Sequence, residues 1–266
     1  MAARMPDEPR IWFITTCMGR LSALEQSLPT LCRQSNSRVV VVDYSCPDRS
    51  GDWVEAHHPE CRVVRVPDEE FFHSSRARNV GVQVVPPGDD WVCFVDADVC
   101  LSPSFCAIVR PQLAPGRFAV LPMHPRNKGL TGFILASRGD VARCGGFDEG
   151  YRNYGRQASA MRVTLFAAGL TPIFLGDGLA QHLDHGDEIR SRHYRERDLV
   201  RSSRENSHRL RALIQKTEVE TGKAIPPELC HKEMARGPGG GLLRPLRAVY
   251  RLLGGPWRSR GRGSSR

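Results

Sequence analysis

The sequence lacks any apolar run of the roughly 20 residues that a membrane-spanning helix requires. Its first ten residues, MAARMPDEPR, also lack the apolar core of a signal peptide. We therefore expect a cytoplasmic protein. If the basic tail described below contacts lipid, we expect a peripheral position at the inner face of the membrane.

Closely spaced cysteine pairs are missing too, although the chain has nine cysteines. An odd number with irregular spacing does not suit a disulfide framework, and no CxxC pair indicates a thiolate metal site. Cys17 and Cys93 lie inside apolar runs. The pattern favours a reduced chain with buried thiols.

Acidic residues are scarce at the C-terminal end. Residues 232–266 hold nine Lys or Arg against the single acid Glu233, so this tail carries +8 of the net charge of +9. After the linker GPGGG (237–241), leucines alternate with arginines in a short basic amphipathic segment, which is typical of contact with an anionic membrane surface. A solvated tail without a partner is the alternative. The rest of the chain shows no basic stripe with interleaved aromatics, so we expect no nucleic-acid partner.

Strand-like and helix-like patterns alternate through the first hundred residues. The buried runs Ile11–Cys17 and Arg38–Tyr44 are followed by two more, at 61–66 and 91–96, and the intervening segments repeat apolar residues at helical spacing. This order predicts an α/β fold with a mostly parallel central sheet and helices on both faces. Pro29, inside the first helical pattern, predicts a kink or a break.

The most informative stretch is Trp91–Cys100, WVCFVDADVC. Asp96 and Asp98 stand where this strand should emerge at the carboxyl edge of the sheet, and ideal alternation would send both to the same side. Two neighbouring carboxylates repel each other unless a cation lies between them, and a divalent ion that also binds substrate phosphates would satisfy both. A solvated pair of loop acids is the alternative for so short a motif.

Other polar residues could complete such a site. His182 and His185 would add nitrogen ligands, and mixed oxygen and nitrogen ligation suits Mn²⁺ better than a zinc site built of thiolates. Asp43 lies at the end of the second strand, where its carboxylate could contact a ligand or cap a turn. Arg76 and Arg78 could bind phosphates or form a solvated helix face.

Five motifs follow one another over roughly residues 10–195: TTCMGR (15–20), Arg76–Asn79, the D-x-D pair, GGFDE (145–149) with Tyr154-Gly155, and His182-x-x-His185. Together they resemble a GT-A (Rossmann-like) glycosyltransferase of the broad family 2 group, with a galactosyltransferase-type C-terminal region. The resemblance implies inverting transfer from a nucleotide-sugar, UDP-hexose or UDP-N-acetylhexosamine, to a glycan, lipid-linked or other hydroxyl acceptor. It also implies Mn²⁺ or Mg²⁺ as cofactor.

The resemblance assigns roles to individual residues and segments. Nucleotide contacts are expected from Thr15, Thr16, Arg20, Asp43, Arg76, Asn79 and Asp96, and metal ligation from Asp96, Asp98, His182 and His185. Contacts to donor sugar and acceptor are expected from Gly145, Gly146, Phe147, Tyr154 and Gly155. The chain then divides into an N-terminal tail (1–10), a nucleotide-binding half (11–101), a donor-sugar and acceptor half (102–190), a helical region (191–231) and the basic, Gly/Pro-rich flexible tail (232–266).

One part of the family pattern is missing. Relatives typically carry G-x-E-D after the W-G pair, and one of these acids is the general base that deprotonates the acceptor hydroxyl. Gln157 and Ala158 take those places here, and neither can accept a proton at neutral pH. The predicted substitutes are Asp148 and Glu149, with Asp184 and Asp187 as further candidates.

Two functions therefore stay open at this stage. The first is a metal-dependent, inverting glycosyltransferase, and the second is a non-catalytic GT-A domain that binds nucleotide-sugar or glycan as a scaffold. A nucleotidyltransferase on a related fold is disfavoured, because TTCMGR is not the Gly-rich loop with a basic residue that such enzymes use.

Overall fold

The computed structural model describes residues 9–88, 90–122 and 129–230. The basic tail, for which we predict membrane contact, lies outside the described residues. Within these residues, every helix is too short or too polar to serve as a membrane span. The strands are β1 (Ile11–Cys17), β2 (Ser37–Tyr44), β3 (Arg62–Val66), β4 (Trp91–Phe94), β5 (Val99–Leu101), β6 (Arg117–Val120), β7 (Ile134–Ser137), β8 (Thr171–Phe174) and β9 (Ala180–His182).

Seven of these strands form one sheet in the order β3-β2-β1-β4-β7-β6-β8. β1 runs parallel to both β2 and β4, and β2 runs parallel to β3. β7 is antiparallel to its neighbours β4 and β6, while β6 and β8 are parallel. The carboxyl ends of β1, β2 and β4 therefore meet at one edge, where an open sheet of this kind binds its ligands.

Helices cover both faces of the sheet because the central strands are apolar on both sides. In β1, Trp12 and Ile14 join one apolar cluster, whereas Ile11 and Phe13 join the other. The helices are α1 (Leu21–Cys32), α2 (Ser50–His57), α3 (Ser74–Gln83), α4 (Phe105–Val109), α5 (Arg138–Arg143), α6 (Gln157–Ala167), α7 (Asp187–Ser191) and α8 (Leu199–Thr221). α3, α5, α6 and α8 contribute to the first cluster, and α1, α2 and α4 to the second. The predicted α/β architecture is confirmed.

α1 does not break at Pro29, contrary to one of the two expectations for this residue. The helix continues to Cys32, and Leu24, Leu28 and Leu31 are all buried against the sheet. The carbonyl that Pro29 leaves without a helical partner belongs to Glu25, which is exposed, so water can bind it. Burial of the leucine stripe therefore outweighs the loss of one hydrogen bond.

The two acids of the D-x-D pair lie in a turn and not on a continuous strand. β4 ends at Phe94, and the Val99 N–H donates to the Asp96 carbonyl at 3.0 Å, which closes the turn. β5 then pairs antiparallel with β9, with Val99 opposite His182. This small sheet brings the histidine segment against the acids at the ligand-binding edge.

Candidate active site

A cleft of about 610 Å³ opens at the carboxyl edge of the sheet. Its walls come from the ends of β1 and β4, the start of α3, the turn before β7, the start of α6 and the segment from β9 to residue 194. The polar residues lining it include Thr16, Arg20, Ser74, Arg78, Asp96, Asp98, Thr131, Tyr154, Arg156, Gln157, Ser159, His182, His185, Arg190, His193, Tyr194 and Ser203.

Asp98, His182 and His185 form a compact cluster in this cleft. Asp98 Oδ2 lies 2.5 Å from His185 Nε2 and 3.6 Å from His182 Nε2. One ligand atom from each residue lies within 4.8 Å of the other two. A carboxylate and two imidazoles form a donor set that suits Mn²⁺ and leaves coordination positions open for substrate oxygens.

Arg20 places a positive charge beside the same carboxylate. Its Nη1 lies 3.1 Å from Asp98 Oδ2 and 2.6 Å from His185 Nε2. Burial raises the pKa of Asp98, but hydrogen bonds from His182 and His185 and the charge of Arg20 outweigh it and lower this pKa to about 2. Asp98 is therefore an anion at neutral pH, as a metal ligand must be.

Asp96 is engaged differently from Asp98. Its Oδ1 accepts a hydrogen bond from Arg78 Nη2 at 2.6 Å, and the Arg78 guanidinium lies 5.2 Å from the centre of the Phe147 ring. Gly132 packs so close that a Cβ there would lie 2.1 Å from Asp96 Oδ2. In the described structure Asp96 is not part of the Asp98–His182–His185 cluster, so metal ligation by Asp96 stays a prediction.

The predicted nucleotide-binding residues divide into two groups. Thr16, Arg20 and Asp96 line the cleft, whereas Thr15, Asp43, Arg76 and Asn79 do not. The Asp43 carboxylate accepts the backbone N–H groups of Cys46 at 2.9 Å and Gly51 at 2.7 Å. Asp43 thus closes the turn before α2, in line with the turn-cap alternative. Arg76 pairs with Glu69 at 2.8 Å.

The GGFDE segment is tied to α3 through one side chain. The Asn79 Nδ2 donates to the Phe147 carbonyl and to Glu149 Oε1, both at 2.9 Å, and the Phe147 N–H donates to Asn79 Oδ1 at 2.8 Å. Gly146 has φ +74° and leaves no room for a Cβ beside Asn79. Of the residues predicted to contact donor sugar and acceptor, Tyr154 and Gly155 line the cleft, and Gly145, Gly146 and Phe147 do not.

The predicted substitutes for the missing base do not reach the cleft. Asp148 and Glu149 are exposed and lie outside its lining, because Asp148 caps the Gly150 N–H and Asn79 holds Glu149. Asp184 is also exposed and outside the lining. Among the described lining residues, the only acids are Asp96 and Asp98. Gln157 lies in the lining, where its Nε2 donates to the Asn153 carbonyl.

Sequence reasoning missed several residues that shape the cleft. His193 packs against Gly19, and burial together with the nearby Arg192 charge lowers its pKa. Arg162 is fully buried and donates to the carbonyls of Thr131 and Phe133, both at 2.9 Å, which supports the turn that carries Gly132. Burial lowers the pKa of Arg162 to about 10. A lone histidine and a helix arginine carry no motif that would have predicted these positions.

The sheet with a ligand cleft at its carboxyl edge is a GT-A-type fold, as comparison with known proteins shows. Residues 12–169, more than half of the 266-residue chain, match the model of "Glycosyl transferase family 2". The chain belongs to glycosyl transferase family 2. No protein of curated function matches it by sequence.

Several solved structures share this fold at low sequence identity. The mannosyltransferase PcManGT from Pyrobaculum calidifontis, in complex with GDP-Man and Mn²⁺, is 16% identical with a TM-score of 0.56, covering 93% of this chain and 84% of that one. S. aureus TarS in complex with UDP-GlcNAc is 14% identical with a TM-score of 0.60, covering 85% and 70%. Drosophila β1,4-galactosyltransferase 7, in complex with manganese, UDP-Gal and xylobiose, is 16% identical with a TM-score of 0.50, covering 71% and 76%.

Proposed function

We propose that the protein transfers a sugar from a nucleotide-sugar to a hydroxyl acceptor and that it uses a divalent metal ion held by Asp98, His182 and His185. The proposal depends on one observation: a carboxylate and two imidazoles lie together in the cleft of a family 2 fold. Further support comes from the solved relatives in complex with a nucleotide-sugar and manganese. By the same reasoning we propose a UDP-linked hexose or N-acetylhexosamine as donor and Mn²⁺ or Mg²⁺ as cofactor.

The residues around the cluster suit the departure of a nucleoside diphosphate. A metal bound there would act as a Lewis acid and neutralise charge that grows on the leaving diphosphate. Arg20 lies in the same cleft, and its guanidinium can donate charge-assisted hydrogen bonds to phosphate oxygens. Arg78 lines the same cleft and is fixed by its ion pair with Asp96, so its remaining N–H groups can also donate to phosphate oxygens.

The acceptor side of the cleft begins at Tyr154–Ser159. In an inverting reaction the acceptor hydroxyl attacks the anomeric carbon directly, and a base removes its proton. Gln157 can orient a hydroxyl by hydrogen bonding but cannot take its proton. We therefore propose inversion by direct displacement at a slow rate, with the hydroxyl proton passing to solvent water, since loss of a general base costs about a hundred-fold to ten-thousand-fold.

The experiment is a donor-turnover assay over a panel of UDP- and GDP-sugars, with Mn²⁺, Mg²⁺ or EDTA. We expect metal-dependent release of nucleoside diphosphate by the wild-type protein and no release by Asp98→Ala. Glu220→Ala, which removes an exposed carboxylate on α8 outside the cleft lining, is the matched control and should keep wild-type turnover. Equal turnover by Asp98→Ala would contradict the proposal.

A non-catalytic, nucleotide-sugar-binding scaffold is the second candidate. The observation that favours it is the pair Gln157 and Ala158 in place of the usual acids, with Asp148 and Glu149 outside the cleft. On this alternative, UDP and Mn²⁺ bind together, but no donor in the panel is consumed. The same assay, combined with binding measurements, therefore separates the two functions.

A further inference from the structure

A second groove, of about 690 Å³, adjoins the cleft along the N-terminal half of α8. Tyr154, Arg156, Arg190 and Ser203 line both the cleft and this groove. A molecule lying in the groove can therefore reach the cleft directly. The shared wall coincides with the segment where the acceptor side of the cleft begins.

The groove is strongly basic. Arg204, His208 and Arg211 lie on one face of α8 at helical spacing, and Arg156 and Arg190 face the same cavity. None of the described residues that line it is acidic. Four arginines, with no carboxylate among the described lining residues, give the groove a positive potential that attracts anions.

Three acids around the start of α8 are engaged outside the groove. Glu196 and Glu205 lie 3.3 and 3.5 Å from the Nε of Arg201, which does not line the groove. Asp198 caps α8 by accepting the N–H groups of Val200 and Arg201 at 2.9 and 3.0 Å. These carboxylates thus have cationic or N–H partners of their own.

The arginines that line the groove are partly held in place by their surroundings. Arg211 is half-buried on α8. Arg156 Nε donates to Ser207 Oγ at 3.0 Å, and Arg190 lies 5.9 Å from the centre of the Tyr154 ring, so both flank a preformed wall.

We infer that this groove binds a phosphate group of the acceptor substrate, while the acceptor's hydroxyl reaches the cleft beside Tyr154. The inference rests on the proposed transferase function. Guanidinium groups match phosphate oxygens in charge and in fork geometry, which is why arginines are the expected partners. The phosphate can belong to a lipid phosphate or to a free sugar phosphate, because both present the same group.

Calorimetric titration of the full chain tests this inference, with Mn²⁺ and saturating UDP present to fill the donor site. The probes are geranyl phosphate and glucose 6-phosphate, each compared with its alcohol, geraniol or glucose. We expect at least one phosphate to bind and its alcohol not to bind. A geranyl phosphate preference indicates a lipid-linked acceptor, and a glucose 6-phosphate preference indicates a soluble one.

Variants of α8 locate the binding. Loss of one charge-assisted contact weakens binding about tenfold, so Arg204→Gln should weaken phosphate binding by this factor and Arg204→Gln/Arg211→Gln by more. Lys216→Gln removes an exposed cation from the same helix outside the groove and should leave the affinity unchanged. Because Arg204 is also exposed, Arg204→Gln should fold normally, which its melting temperature checks.

Two results would overturn the inference: absence of phosphate binding, or equal affinities for wild type and Arg204→Gln. UDP titration of the same variants separates this failure from failure of the proposed function. If wild type binds UDP in Mn²⁺ but binds neither phosphate, or binds phosphate no more tightly than Arg204→Gln does, the groove was assigned wrongly and the transferase proposal stands. If wild type binds no UDP, the transferase proposal fails, and titrations without UDP still compare Arg204→Gln with Lys216→Gln.

Discussion

The Asp98 carboxylate lies among three cationic or protonatable side chains in the cleft. Arg20 and His185 contact it directly, and His182 lies 3.6 Å away. The Asp98 side chain is only 13% exposed, so loss of this paired carboxylate has both a functional and a structural consequence.

The structural consequence is a dependence of stability on pH in metal-free buffer. The folded pKa of Asp98, about 2, lies below its ordinary value of 3.8, so its ionised form stabilises the fold above pH 3.8 and this stabilisation is lost as the pH falls through 2. We expect the difference in unfolding free energy between wild type and Asp98→Asn to be about 1 kcal/mol smaller at pH 3 than at pH 6. Urea denaturation in EDTA measures it, and a difference that is constant with pH would contradict the pairing.

A second prediction for a single residue concerns Gly132. A methyl group there would collide with Asp96 Oδ2, so Gly132→Ala must displace Asp96 from Arg78. We expect a loss of about 1–3 kcal/mol in unfolding free energy, measured by urea denaturation, together with weaker UDP binding. The control is Gly176→Ala, whose Cβ meets no described atom within 4 Å and which should be nearly neutral. Equal effects of the two substitutions would show that Asp96 does not constrain position 132.

At the scale of elements, the contact between α3 and the GGFDE segment depends on Asn79. Its side-chain amide makes two hydrogen bonds to the Phe147 backbone and one to the Glu149 carboxylate. These bonds satisfy backbone groups of a turn in which Gly146 adopts a positive φ. Segment 145–149 is therefore held as a structural brace beside the cleft, since Phe147 packs under Arg78.

Removal of this amide should loosen the brace. Asn79→Ala leaves the Phe147 N–H and carbonyl without these partners, and we expect a loss of about 2–3 kcal/mol in unfolding free energy, measured by chemical denaturation. Gln83→Ala, at an exposed position of the same helix, is the control and should change stability little. If both variants matched wild type, the brace would have no energetic role.

Elements of this fold were predictable where one physical factor dominates. Runs such as Val39–Val42 are buried on both faces, so a continuous apolar stretch between turns is sufficient to predict a parallel strand. Motif order also predicted that the D-x-D acids and the histidines converge, and the pairing of β9 with β5 brings His182 and His185 to Asp98, although not to Asp96. It could not decide whether the Asp43 carboxylate caps a turn or contacts a ligand, since both need the same residue at the same strand end, and the structure shows the cap.

Positions near one another in sequence need not share a site. Asp148 and Glu149 stand only a few residues before Tyr154, yet Asn79 and the turn at Gly146 keep both acids outside the cleft. The contribution of Arg162 was not predictable, because a buried arginine on a helix has the same local pattern as a solvated one.

At the scale of the whole molecule, charge is divided between a nearly neutral body and a tail that carries +8. We propose that the tail holds the protein against an anionic membrane surface. We expect the full chain to sediment with vesicles containing phosphatidylglycerol at low salt and a chain ending at residue 231 to stay in solution. Phosphatidylcholine vesicles are the control, and equal sedimentation of the two chains would contradict the role of the tail.

The central claim is that Asp98, His182 and His185 hold a divalent ion that binds the diphosphate of a nucleotide. Calorimetric titration of UDP into wild type and Asp98→Ala, in Mn²⁺ and in EDTA, tests it most directly. We predict tight UDP binding by wild type in Mn²⁺, with affinity lost in EDTA and in the variant. UDP affinity that is the same in EDTA as in Mn²⁺, or that survives in Asp98→Ala, would contradict it.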